Sequence, residues 1–234
     1  MSRASPRELP FSGSDLLLEE MSHRMNNELT SAIAAVSRAA ARSKNEEVRA
    51  TLSAVSDRLL ALAFVHRVLQ MPSQSSEIDA SVYLRQLCEA ISRSKLADKG
   101  IGLALVEGSV RLEAVRCWRL GLIVSELIAN AARHAFDAAG GAIRVELLTS
   151  DAFVECRVSD SGRAAGPVRP GRGLRIVEAL AGTLGGTIDY VFGEHGSAVV
   201  LVFPRHVNSG DDDRRATDIR AATLSGQGCE AAPA

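Results

Sequence analysis

Hydrophobic positions recur at steps of three or four residues from Leu18 through Met21, Met25, Leu29, Ile33, Val36 and Ala40, the stripe of a long amphipathic helix that starts near Ser14. A second stripe, Val48, Leu52, Val55, Leu59, Leu62, His66 and Leu69, alternates four- and three-residue steps until Pro72. Between them Ser43-Lys44-Asn45-Glu46 has the capping-box form, which predicts that the second helix begins there. So short a connection makes the pair an antiparallel hairpin. Two helices bury one face against each other and leave an apolar seam, which two copies of the chain would close as a four-helix bundle. A homodimer is therefore expected.

After Met71-Pro72-Ser73-Gln74-Ser75-Ser76, a polar linker, the pattern changes. It predicts a helix over Ala80–Leu96, a strand at Gly102–Glu107, a helix over Ala114–Phe136 and strands at Ala142–Leu148 and Phe153–Ser159. A helix at Gly173–Leu184 and strands at Gly186–Tyr190 and Ala198–Phe203 complete the order. Strands adjacent in sequence imply a mixed or antiparallel sheet with helices on one face. The fold class is α+β, a helical hairpin followed by an α/β sandwich. The chain divides into a flexible lead-in (1–13), the hairpin (14–72), a linker (73–77), the sandwich (78–206) and a polar tail (207–234) that cannot supply a core. No internal repeat is present.

Composition narrows the partners. Of 234 residues, 46% are hydrophobic, enough for ordinary buried cores, and the formal net charge is −1. So small a charge provides no global field for nucleic acid, which favours a phosphate-bearing small molecule held by local cations. Cys88, Cys117, Cys156 and Cys229 lie far apart in no metal-ligand spacing, and the N-terminus has no apolar signal core, so a cytoplasmic setting is expected. The apolar run Leu120–Ile128 is interrupted by Ser125 and Glu126, and no run approaches the ~20 residues of a membrane span, so direct membrane insertion is not expected.

Three groups of residues carry chemistry. His23 projects roughly 130° from the centre of the first helix's apolar stripe, toward solvent. An imidazole on a rigid helix can attack phosphorus through one nitrogen while a carboxylate one turn away, here Glu19, orients the other. Alone, such a histidine is merely a solvated residue. Glu126, Asn130, Arg133 and His134 stand at i, i+4, i+7 and i+8, one polar ridge on a helix whose other side is apolar. An amide oxygen suits Mg²⁺, and Arg and His can meet phosphate oxygens, although a ridge by itself is equally a solvated face. Asp160-Ser161-Gly162 ends a strand, and Gly171-Arg172-Gly173-Leu174 opens a helix a short loop later. A carboxylate there can accept from an adenine amino group, and the glycines allow backbone amides to approach phosphate.

The strings E-M-S-H-R-M-N-N-E-L and L-A-L-A-F-V-H-R-V-L resemble the dimerisation and phosphoacceptor hairpin of HWE-like sensor histidine kinases, whose members commonly read H-R-V-K-N-N-L and A-L-V-H. The resemblance implies that His23 takes the phosphoryl group, with Arg24 and Asn27 at matched positions and Asn26 and Glu28 departing from the usual Lys and Asn. His66 matches the histidine of the second string, yet its place on the apolar stripe reads as a packed structural residue. The order of the other two groups resembles the N, G1 and G2 boxes of the GHKL ATP-binding fold over about Ile78–Arg205. That resemblance assigns Asn130 to Mg²⁺, Asp160 to adenine, and Gly162, Gly171 and Gly173 to the lid region beside ATP, with Leu174 opening the helix behind it. Gly196-Ser197 is similar to the family's Gly-Thr element that supports the aspartate. Ala164 stands where the second glycine of D-x-G-x-G is usual, and Arg163, Arg169, Arg172 and Arg175 supply cations around the lid.

The expected function is autophosphorylation of His23 from Mg-ATP, with Glu126 orienting or deprotonating the nucleophile, then transfer to an aspartate of a response-regulator receiver domain, with an upstream sensor protein as a further candidate partner. A rival reading is a degenerate kinase that serves as a histidine phosphotransfer protein or scaffold, motivated by Ala164 and the altered histidine string; ATP binding separates the two. A third, a GHKL protein controlling a sigma factor, needs no phosphoacceptor hairpin.

Overall fold

The computed structural model describes residues 13–70, 72, 76–136, 140–162, 172–193 and 196–206, with side chains from residue 24 onward except that of residue 192. Helix α1 covers Gly13–Arg42 and α2 Glu46–Val68, antiparallel across a three-residue connection. The hydroxyls of Ser37 and Ser56 meet between them at 3.0 Å. The start of α2 differs from the capping-box expectation. Asn45, not Ser43, is the N-cap: its side chain accepts from the N–H groups of Glu47 (2.9 Å) and Val48 (3.3 Å). The Ser43 hydroxyl is committed within the loop, donating to the Asn45 carbonyl and accepting from its N–H. Asparagine caps as well as serine, and its position shortens the connection.

Strand β1 (Glu77–Asp79) pairs antiparallel with β3 (Arg111–Glu113), a small ribbon absent from the sequence reading because three residues carry no period. Helix α3 (Ala80–Ile91) runs into a π-turn at Ser92–Leu96 and a 3-10 turn at Ala97–Lys99, so the single helix expected over Ala80–Leu96 changes its winding in its last turn. The remaining elements are β2 (Ile101–Glu107), α4 (Ala114–His134), β4 (Gly141–Thr149), β5 (Phe153–Asp160), α5 (Arg172–Thr183), β6 (Thr187–Gly193) and β7 (Gly196–Pro204). The larger sheet has the order β2-β4-β5-β7-β6, with β2 parallel to β4 and every other pair antiparallel.

Alternation along the strands fixes the two faces of this sheet. Ile143, Val145 and Leu147 of β4 and Val154, Cys156 and Val158 of β5 are buried beneath α3, α4 and α5. On the other face Glu146 lies 3.9 Å from both Arg144 and Arg157, a half-exposed charge ladder. The architecture is α+β, a helical pair followed by a sandwich of helices on a mixed sheet. The two parts share a seam. Val65 of α2 is buried in the same core as Leu84, Leu87 and Leu120, and Phe64, Val68 and Leu69 pack against it. The phenol of Tyr83 donates to the Val68 carbonyl (3.0 Å) and the indole N–H of Trp118 to that of Leu69 (2.8 Å), so the carbonyls orphaned at the end of α2 find donors on α3 and α4.

Candidate nucleotide site on helix α4

Helix α4 turns an apolar side, including Leu120, Ile123, Val124, Leu127 and Ile128, into the core, which leaves the ridge from Glu126 to His134 at the surface. Glu126 and Asn130 are half-buried; Arg133 and His134 are exposed. The Arg133 guanidinium donates to the Asn130 amide oxygen at 3.2 Å, which holds the orientation of the amide.

Two close backbone approaches bracket this ridge. At its C-terminal end, Gly162 is buried so tightly that a Cβ would lie 2.0 Å from the Ala135 carbonyl oxygen. At the other end, a Cβ on Gly173, in the first turn of α5, would lie 2.1 Å from the Glu126 carboxylate. Along α4 the stretch from Glu126 to Ala135 is about 13 Å at 1.5 Å per residue. The structure therefore sets Glu126, Asn130, Arg133, Asp160, Gly162 and Gly173 along one edge of α4, a candidate nucleotide cleft with the strand end at one extremity and a helix N-terminus at the other.

The strand end is fixed by local bonds. One carboxylate oxygen of the half-buried Asp160 accepts the Gly162 N–H at 3.0 Å, closing an Asx-type turn. Asp160 pairs in register with Ser197 of β7. Gly196, with φ +135°, approaches the Asp160 carbonyl so closely that a Cβ would sit 2.0 Å from it. The Gly196-Ser197 pair thus lies directly beside the aspartate.

Ser161, next to Asp160, was not singled out from the sequence. Its N–H donates to the Ala142 carbonyl (2.9 Å) and its hydroxyl accepts the Ala142 N–H (3.0 Å), anchoring the turn to β4. Lys99, also missed, donates to the Ala132 carbonyl at 3.3 Å, a cation at the C-terminal end of α4. The only signal for either was a polar residue beside a motif or a turn glycine.

Other expected residues stand differently. Leu174 is half-buried and packs on the core. Arg172 and Arg175 are exposed on the first turn of α5. Gly171, Arg163, Ala164 and Arg169 lie outside the described residues, as do the side chains of His23 and Glu19, although both of these belong to α1. His66 is half-buried, as its place on the stripe implied, and its Nδ1 is buried without a hydrogen-bond partner. Among the described residues no group of three or more His, Cys, Asp or Glu side chains could hold a metal ion by itself. A magnesium ion that keeps its waters and is carried by phosphates needs only one or two protein oxygens, and the Asn130 oxygen fits that demand.

Residues 20–95 match the family model for histidine kinases, and residues 103–203 that for the histidine kinase-like ATPase domain. The chain belongs to the histidine kinase family. The sensor histidine kinase PdtaS of Mycolicibacterium smegmatis is 29% identical over 64% of this chain, which spans 30% of that relative's length. Blue-light-activated histidine kinase 2 of Erythrobacter litoralis is 25% identical over 81% of this chain and 57% of its own. Among solved structures, the histidine kinase domain of the Erythrobacter litoralis EL346 blue-light-activated kinase superposes with a TM-score of 0.52 at 24% identity, covering 76% of this chain and 95% of that one. A bacterial phosphotransferase reaches 0.56 at 16% identity, covering 82% and 98%. At these identities the structural likeness speaks for the fold: a helical pair with a GHKL-like ATPase domain.

Proposed function

We propose that this histidine kinase family member is an ATP-dependent protein-histidine kinase that autophosphorylates His23 and passes the phosphoryl group to an aspartate of a response-regulator receiver domain. In this reading residues 14–72 form the dimerising phosphoacceptor hairpin and 78–206 the ATP-binding domain. The protein works as a homodimer in the cytoplasm, under an upstream sensor. No helix among the described residues is long and apolar enough to cross a membrane.

The observation that carries the proposal is the cleft along α4, bracketed by Gly162 and Gly173 with Asn130 between. Asp160 would accept the adenine amino group through the carboxylate oxygen that Gly162 leaves unused, and Ser197 beside it would support the same edge. Arg133, His134 and the first turn of α5, with Arg172, offer donors to the phosphates, a helix N-terminus being a natural anion site. Magnesium, held by Asn130 and the phosphates, would neutralise charge that develops on the transferred group. A nitrogen of His23 attacks the γ-phosphorus, the bond to the bridging oxygen breaks, and ADP leaves. Glu126, near the first turn of α5, would accept the imidazole proton.

The test is incubation of the purified chain with Mg²⁺ and γ-labelled ATP. Wild type should acquire an acid-labile, base-stable label, lost in both His23→Ala and Asn130→Ala. If the folded wild type takes no label with candidate activators present, the protein is instead a phosphotransfer relay or scaffold.

A further inference from the structure

Arg58 is exposed on α2, yet it reaches across to the sandwich. Its Nε donates to the Ser94 carbonyl at 3.0 Å, and its NH1 forms an ion pair with Asp98. Ser94 lies in the π-turn that ends α3, where the last carbonyls of a helix lack donors and carry its partial negative charge. One guanidinium thus satisfies an orphaned backbone acceptor and a carboxylate on the following 3-10 turn.

This contact bears on where the hairpin stands. Helix α1 packs on α2, α2 on α3 and the π-turn, α3 on α4, and α4 on α5. The candidate nucleotide site lies along the C-terminal half of α4, beside α5. The Ser37–Ser56 bond sets the antiparallel register and brings the backbone of residue 23 level with Leu69–Gln70. Leu69 is bound by Trp118, which is about 18 Å along α4 from Asn130 at 1.5 Å per residue. In this docked arrangement the level of residue 23 falls at the Trp118 end of α4, about 18 Å along that helix from Asn130.

We propose that Arg58, through Ser94 and Asp98, is a latch that holds the ATP-binding domain docked on α2 and away from His23, and that its release precedes phosphoryl transfer. The inference rests on the kinase reading for its consequence, but the latch itself is a matter of geometry. Both charged partners are half-exposed, with side-chain accessibilities of 45% and 63%, so the ion pair is weak and screened, as suits a device that must open. Tyr83 and Trp118 hold the carbonyls at the end of α2 and leave that end as the pivot.

The experiment places spin labels at Ala50→Cys on α2 and Asp189→Cys on β6, with Cys229→Ser and an excess of unlabelled protein so that each pair reports within one chain. Cys88, Cys117 and Cys156 are buried and do not compete. The otherwise wild-type protein should give one narrow distance, and Arg58→Ala or Asp98→Ala a broad distribution. Arg58→Lys, which keeps the charge for Asp98 and a donor for the Ser94 carbonyl, should narrow it again in part, whereas exchanging Arg58→Asp with Asp98→Arg should not, because an aspartate cannot donate to Ser94. Autophosphorylation should rise roughly 3- to 10-fold in Arg58→Ala, the range in which loss of a weak latch shifts a two-state population, with ATP affinity unchanged. An unchanged distance distribution, or a distribution that broadens while labelling falls, overturns the latch. Should no variant take label, the kinase reading fails, while the distances still decide whether Arg58 holds the domains together.

Discussion

At the residue scale, the two glycines that bracket the cleft face different obstacles. A methyl at Gly162 meets the backbone carbonyl of Ala135, which cannot move without disturbing the end of α4. Gly162→Ala should therefore cost about 1–3 kcal/mol of stability and weaken ATP binding along with it. At Gly173 the obstacle is the tip of the Glu126 side chain, which can rotate away. Gly173→Ala should keep a melting temperature close to wild type and bind ATP, but lose phosphorylation rate because Glu126 is displaced. Thermal melts, nucleotide titration and labelling kinetics separate the two; equal effects on stability would refute the distinction. The cysteines make a second case. Burial pushes the thiols of Cys88, Cys117 and Cys156 up to about 12, so at neutral pH they remain protonated. A maleimide reagent should modify none of them until the protein unfolds, and rapid modification of any one in the native protein would contradict the packing. The sequence exposed Asn130, Asp160 and Gly162 because polar residues at helical spacing and a strand-end turn are local patterns. It could not expose Ser161 or the Glu126–Gly173 contact, since both depend on which elements the fold lays side by side.

At the element scale, legibility followed period. Strands β4, β5 and β7 were predicted within one or two residues because buried and exposed side chains alternate along them. The ribbon of β1 and β3 and the π-turn were invisible: three residues are too few for a period, and the π-turn's winding leaves the hydrophobic spacing nearly helical. Helix α3 shows what the ribbon does. Its N-cap is Asp79, the last residue of β1, whose carboxylate accepts from the N–H groups of Ser81 (2.9 Å) and Val82 (3.4 Å). Hydrogen bonds from Ser81, and from the backbone of Val82, hold this carboxyl below its usual range. A carboxyl with a depressed folded-state value stabilises the fold above its unfolded value, near 3.9, and that contribution is lost as pH falls below this toward the folded value. Asp79→Ala should cost about 1 kcal/mol at pH 7. The deficit relative to wild type should shrink as the pH is lowered below about 4 in denaturant titrations; a deficit constant down to pH 2 would mean that the cap acts without its charge.

At the scale of the whole molecule, the hairpin is the incomplete part. Of the buried side chains of α2, Ser56 meets Ser37 of α1, while Ala61 and Val65 lie in its C-terminal half, Val65 within the core of the sandwich. Elsewhere Met25, Val48, Val55 and Leu60 are 43–51% exposed, large aliphatic groups on helices that end in water. Burying each fully would contribute roughly 1.5–3 kcal/mol, and four-helix bundles bury such positions between their two halves. A second hairpin is the complementary surface that the phosphoacceptor reading calls for, with His66 and its unpartnered Nδ1 beside the same apolar stripe. Val48 and Val55 lie within about 20° of each other on that stripe, so a carboxylate at each forces charge into the seam. The pair Val48→Asp and Val55→Asp should convert a dimer at micromolar concentration into a monomer by light scattering, a loss of at least roughly 100-fold in association for about 3 kcal/mol. The sandwich should be unaffected, because neither residue belongs to its core, so ATP binding and the melting of the ATP-binding domain serve as internal controls. A wild type that is monomeric at these concentrations would locate the exposed seam against some other helix. A double variant that remains dimeric would place the contact between chains outside the hairpin, and phosphotransfer between chains would then require a geometry that the latch at Arg58 does not constrain.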